Sequence, residues 1–240
     1  MPDYFDMHCH LLFGVDDGPE SITETMALLQ QEYDDGVRTI FLTPHYREKM
    51  FECPVDLRVQ KFELLKAYAK QRFPGLELIL GCEIHVNMDV VQNLKSGKCP
   101  TMGDTDFVLL EFPDSSNGRY IVERCHAVMH SGYIPIIAHA ERCAEIRKKK
   151  DLLKKLVNMG VYIQMNAGSI IGEEGLRQKW FCKKAMRQNL LHFIGSDAHN
   201  ANRRKPNIGR CIRYIEKTMG REYMEQIMRI NPREIIEGSV

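Results

Sequence analysis

Histidines and carboxylates recur in this chain at spacings that suit metal coordination. His8-x-His10 and Asp197-x-His199 each put two side chains on one side of an extended backbone, because residues i and i+2 of a strand point the same way. His45, Glu83, Glu111 and His139 lie singly between the two pairs, and Asp16 and Asp17 follow the first pair as adjacent acids. Neutral imidazole nitrogens and carboxylate oxygens are donors that Mn2+, Fe2+ and Zn2+ accept. There are too many candidates for one ion, so two or three are implied.

Regular elements must bring these residues together. β-rich runs at 4–8, 38–43, 77–81, 107–111, 134–138, 161–166 and 191–196 alternate with segments of helical period at 21–33, 56–72, 88–94, 120–130, 151–158 and 175–189. Such alternation predicts parallel strands joined by right-handed crossovers, in an open doubly wound sheet or a closed barrel. The tail at 208–217, 222–230 and 233–237 reads as further helix, broken at Asn231-Pro232. Ser21 with Glu24 is a capping-box pattern.

Every candidate ligand ends or follows a strand. His8, His10, Asp16 and Asp17 belong to the first, His45 to the second, Glu83 to the third and Glu111 to the fourth; His139 and Arg142 follow the fifth, Asn166 ends the sixth, and Asp197 and His199 follow the seventh. The C-terminal strand ends of a parallel α/β fold share one face, which carries the active site. His85, His126, His130 and His192 fall outside the pattern and read as structural.

Composition narrows the function classes. The 240 residues carry a net charge of +1, with 44% hydrophobic and 27% charged residues, as expected of one globular domain spanning 1–240. No basic excess points to nucleic acid. The start shows no apolar signal core, and runs such as 133–138 are too short to cross a bilayer, so the expected location is cytoplasmic and the chain is not expected to be a membrane protein. None of the eight cysteines belongs to a C-x-x-C pair or has an arginine six positions on, the spacing of cysteine-nucleophile phosphatases. Reduced thiols are expected. The basic run 147–150 reads as a solvated helix end.

The segments Asp6-Met-His8-Cys-His10, Val15-Asp-Asp17-Gly-Pro19, Thr43-Pro-His45, Gly81-Cys-Glu83-Ile84, Leu110-Glu111-Phe112, Ala138-His139-Ala-Glu141-Arg142 and Gly195-Ser-Asp197-Ala-His199-Asn200 resemble the motifs of the polymerase and histidinol phosphatase (PHP) superfamily. Within it, the chain is similar to the bacterial protein-tyrosine phosphatases of capsule and exopolysaccharide operons. The resemblance implies a distorted seven-stranded (β/α) barrel, TIM-like, with three divalent metal ions, often manganese, at the C-terminal strand ends. It would assign His8, His10, Glu83 and Asp197 to the first ion. Glu83 would bridge to a second, also held by Glu111 and His139. Asp17, rather than Asp16, would hold the third with His45 and His199. Arg142 and Arg204 match phosphate-binding arginines, with Arg203 and Lys205 flanking the second. A metal-bridging hydroxide would then hydrolyse phosphotyrosine on the tyrosine-rich tail of a membrane-associated bacterial tyrosine kinase. The loop 113–119 is expected to border an open rim, and Tyr46, Arg47 and Lys49 to contribute to a partner-facing surface. The rivals are a small-molecule phosphatase, such as one for histidinol phosphate, and an inactive metal-retaining binding module.

Overall fold

The β-rich runs form nine strand segments in the computed structural model, which describes residues 3–149 and 151–238. They are β1 Tyr4–Cys9, β2 Val37–Leu42, β3 His45–Tyr46, β4 Glu77–Leu80, β5 Glu83–His85, β6 Phe107–Glu111, β7 Ile134–Ile137, β8 Tyr162–Asn166 and β9 Phe193–Gly195. One ladder runs β1-β2-β4 and the other β3-β5-β6-β7-β8-β9, with every pairing parallel. Helices fill the longer connections, giving a mixed α/β fold with a curled parallel sheet, consistent with a TIM-like architecture.

Nine segments appear where the sequence predicts seven strands, for local reasons. Pro44 cannot donate to a ladder and separates β2 from β3, while Gly81-Cys82 separates β4 from β5. Hydrogen bonds step across both breaks: Gly81 N to Leu42 O (2.8 Å), Glu83 N to Pro44 O (3.1 Å) and Thr43 N to Cys9 O (2.8 Å). At the other edge, Asp197 N donates to His8 O (2.8 Å) and His10 N to Ala198 O (2.9 Å), so the chain after β9 meets β1. Gly195 permits that approach, since a Cβ there would lie 2.4 Å from the Cβ of His8.

Period-two alternation places the chemistry. Phe41, Phe107, Leu109, Ile136, Phe193 and, partly buried, Tyr162 belong to one apolar cluster. Further along the same strands, in steps of two, come His45, Glu111, Ala138, Asp197, Gln164 and Asn166. On β1 the register slips between Asp6 and Cys9, a bulge-like irregularity of the kind that re-aims a side chain. Met7 joins the apolar cluster and His8 the polar site. The other strand face packs under the helices through Ile40, Leu42, Val108, Leu110, Ile137 and Ile194.

The helix Ile22–Asp34 carries the expected capping box, with Glu24 N donating to Ser21 Oγ (3.3 Å) and Ser21 N to Glu24 Oε2 (3.3 Å). Asn231-Pro232 does not break the tail. A π-helical turn, Gln226–Ile230, runs directly into the helix Asn231–Glu237, so the helical backbone continues through Pro232. Among the described residues no helix is long and apolar enough to cross a membrane. All eight cysteines are free, and Cys9 and Cys82 are buried.

Candidate metal centre

All nine residues assigned by resemblance lie around one polar centre at the C-terminal strand ends. His8 Nε2 is 3.1 Å from His10 Nε2, and these nitrogens lie 3.4 and 3.2 Å from Glu83 Oε2 and 3.8 and 3.6 Å from Asp197 Oδ1. His139 Nε2 is 2.6 Å from Glu83 Oε1 and 3.9 Å from Glu111 Oε1. Asp17 Oδ1 is 3.3 Å from His199 Nε2 and 3.6 Å from His45 Nε2, while His45 Nδ1 lies 2.9 Å from Glu83 Oε2.

Three groups could each hold an ion: His10, Asp17, His45 and His199; His8, His10 and Asp197; and His45, Glu83 and Glu111. His10 and His45 therefore each face two positions, which the resemblance does not anticipate. Asp197 (φ 52°) and His139 (φ 30°) have positive φ, a region that non-glycine residues occupy only when their surroundings hold them there.

Several partners of these residues are hidden in the sequence. Asp16 lies behind the centre: His10 Nδ1 is 2.8 Å from Asp16 Oδ2, which also accepts from His45 N (2.9 Å), while Gly18 N donates to Asp16 Oδ1 (3.0 Å). The adjacent aspartates thus divide, Asp16 bracing His10 and Asp17 facing His45 and His199. His85, read as structural, has its Nδ1 2.8 Å from Glu111 Oε2. Its place two residues beyond Glu83 on β5 was the available signal. His192 does serve structure, accepting from Ile163 N (3.0 Å), and burial pushes its pKa down to about 4.

The two arginines reach the centre from loops. Arg142 Nη1 donates to Asp197 Oδ2 (2.6 Å), while its Nε and Nη2 donate to Glu174 (2.8 and 2.9 Å). Arg204, rather than exposed Arg203 or Lys205, donates through Nη2 to Asp197 Oδ1 (2.6 Å). Their side chains are 32% and 34% exposed, and that of Asp17 is 47% exposed, which puts all three at the mouth. Beside Arg142 a cavity of about 400 Å3 is lined by residues including Glu111, Phe112, Asp114, His139 and Glu174. Asp114 brings the expected rim loop to it. Arg147 also lines the cavity and donates to Glu141 O, so the basic run is not simply a solvated helix end; Lys150 lies outside the described residues.

The electrostatics call for positive charge. Burial alone would raise the Glu83 and Asp197 carboxyls, but neighbouring charges, His8 foremost, hold both well below the usual carboxylate range. Burial would lower His10, yet Asp16 and Glu83 lift it to about 9; His8, His45 and His139 rise for similar reasons. The acids thus favour positive charge beside them, which cations would supply. Glu83 Oε2 and His199 Nε2 are buried, and the polar atoms within 3.5 Å of them are not aligned for hydrogen bonding. Donors sharing one ion at ~2.1 Å stand roughly 3.0–3.4 Å apart, near the spacings above. The residues fit divalent ions.

A curled parallel α/β fold with a buried histidine–carboxylate centre at its strand ends describes the class of the molecule. Residues 4–237 match the family model for capsular polysaccharide synthesis, CpsB/CapC. The tyrosine-protein phosphatase CpsB of Streptococcus agalactiae serotype III (strain NEM316) is 33% identical over 238 residues, covering 97% of this chain and 98% of that protein. A solved structure from a study of YwqE from Bacillus subtilis and CpsB from Streptococcus pneumoniae, described as unique metal-dependent tyrosine phosphatases, matches with a TM-score of 0.90 and 30% identity, covering 97% of this chain and 94% of that one. Histidinol phosphate phosphatase from Lactococcus lactis, solved with zinc, L-histidinol and phosphate, matches with a TM-score of 0.62 at 15% identity over 92% and 95% of the two chains, a likeness of fold alone. This chain belongs to the CpsB/CapC family.

Proposed function

We propose that the chain is a metal-dependent protein-tyrosine phosphatase serving capsular polysaccharide synthesis. The observation that carries this reading is the convergence of nine imidazoles and carboxylates, with Arg142 and Arg204 at the mouth, in a chain whose relatives are named tyrosine-protein phosphatases. In the finer reading β2 with β3, and β4 with β5, are each one bent strand of a seven-stranded barrel, and residues 1–240 are one domain. Three divalent ions, manganese foremost, would be held by His8, His10, Glu83 and Asp197; by Glu83, Glu111 and His139; and by Asp17, His45 and His199.

Bound there, such ions would make water acidic enough to attack at neutral pH and would offset charge on the phosphoryl oxygens. The chain's own contribution is orientation and charge. Arg142 and Arg204 present planar, charged donors at the open side of the centre, suited to the equatorial oxygens of a phosphate. A phenol of pKa ~10 leaves with less proton donation than an alkyl alcohol. The wall of buried donors keeps bulk water off the inner face, and the exposed Asp17, Arg142 and Arg204 leave the outer face open to a peptide. The proposed substrate is therefore phosphotyrosine on a protein, in particular the tyrosine-rich tail of a membrane-associated bacterial tyrosine kinase met in the cytoplasm.

Hydrolysis of a phosphotyrosyl peptide and of histidinol phosphate, each with Mn2+ and after chelation, tests this reading. The expected result is a metal-dependent rate on the peptide that His199→Ala lowers by several orders of magnitude. Preference for histidinol phosphate would move the chain to the small-molecule rival, and metal uptake with no hydrolysis of either would make it a binding module.

A further inference from the structure

Gln164 and Asn166 are fully buried, two residues apart on β8, and neither is among the nine candidate ligands. The backbone N–H of His139 points at Gln164 Oε1 from 2.6 Å. A backbone N–H can only donate, so the atom facing it must be the amide oxygen. That same oxygen lies 3.2 Å from His8 Nδ1. An oxygen acceptor there requires a proton on Nδ1, which leaves the lone pair of a neutral His8 on Nε2. Nε2 is the atom that faces Glu83 Oε2 and Asp197 Oδ1.

With its oxygen fixed, Gln164 turns its Nε2 toward Asn166 Oδ1, 3.0 Å away. Asn166 must then present Nδ2 to Asp197 Oδ2, and the two are 2.9 Å apart. A single main-chain donor therefore sets the sense of three further hydrogen bonds, and the four together span β1, the His139 turn, β8 and the residues after β9. Flipping either amide would put oxygen against oxygen at one end and N–H against N–H at the other.

We infer that Gln164 and Asn166 form a directional amide relay that fixes the His8 tautomer and the Asp197 carboxylate, which makes them positioning residues for the metal centre. The relay rests on the metal-centre reading above. It explains why two neutral amides occupy inward positions of β8 in a site otherwise built from acids, imidazoles and arginines. Each link matches the known role of outer partners, which orient a ligand and set which ring nitrogen is free.

The test measures Mn2+ affinity rather than turnover, from the free-ion electron paramagnetic resonance signal, in the full-length wild type, Gln164→Met, Asn166→Leu and the double variant. Circular dichroism of each metal-free protein reports whether the fold survives. Each single variant is expected to bind Mn2+ ~10–100-fold more weakly, and the double variant less weakly than the product of the two losses, because each amide orients the other. Folded single variants that keep wild-type affinity within about twofold, or losses that multiply in full, would overturn the relay. A wild type that takes up no Mn2+ would overturn the metal-centre reading and the relay with it. Should the variants fail to fold, nitrogen-15 NMR of Zn2+-loaded wild type still decides: the relay requires His8 to carry its proton on Nδ1, and a proton on Nε2 would contradict it.

Discussion

The centre has two halves held by different forces. His8, His10, Glu83 and Asp197 sit on or directly after strands, essentially inaccessible to solvent. Their positions follow from ladder hydrogen bonds, a bulge-like slip in β1 and the close approach allowed by Gly195. Arg142, Arg204, Asp17 and Glu174 come from loops, are a quarter to a half exposed, and are held by ion pairs. Backbone register sets where the first half stands, and buried side chains such as Asp16, Gln164 and Asn166 orient its rings and carboxylates. The second half is only as well placed as its partners, which suits the phosphate-binding role proposed for Arg142 and Arg204.

Substitutions in each half should fail differently. Gly195→Ala forces a Cβ to within 2.4 Å of His8 Cβ and 2.9 Å of His8 backbone atoms, so it should destabilise the fold by about 3 kcal/mol. Thermal melting checks this, and an unchanged melting temperature would show that the two edges of the sheet are not tightly joined. Arg142→Lys keeps the charge but loses the planar fork. It should leave the melting temperature nearly unchanged while lowering kcat/KM on a phosphotyrosyl peptide by roughly 100-fold. Glu174→Ala removes the partner of Arg142 Nε and Nη2 without touching the candidate ligands. A decrease of about 10-fold in kcat/KM, mostly through KM, is expected; a decrease as large as that of Arg142→Lys would mean that Glu174 itself meets the substrate.

The same division governed what the sequence revealed. Strand-end residues were legible because period-two alternation and parallel topology put His8, Glu83, Glu111 and Asp197 at one rim whatever the loops do. The helix start at Ser21 was legible from its capping box. The breaks at Pro44 and Gly81 were not placed, because each interrupts the ladder while hydrogen bonds carry the chain across. Asn231-Pro232 misled because a π turn precedes the proline and the helical backbone continues through it. Glu174 and Gln164 went unassigned because their roles depend on distant residues, Arg142 in one case and His8 and His139 in the other. The contact of His85 with Glu111 was not foreseen, although its spacing from Glu83 put it on the same face.

Diffraction from crystals soaked in Mn2+, recorded at the manganese absorption edge, addresses the central claim most directly. Anomalous peaks are expected among His8, His10, Glu83 and Asp197, beside Glu111 and His139, and among Asp17, His45 and His199. A map with no peak at these donors, or with its peaks on the outer helices, would contradict the account.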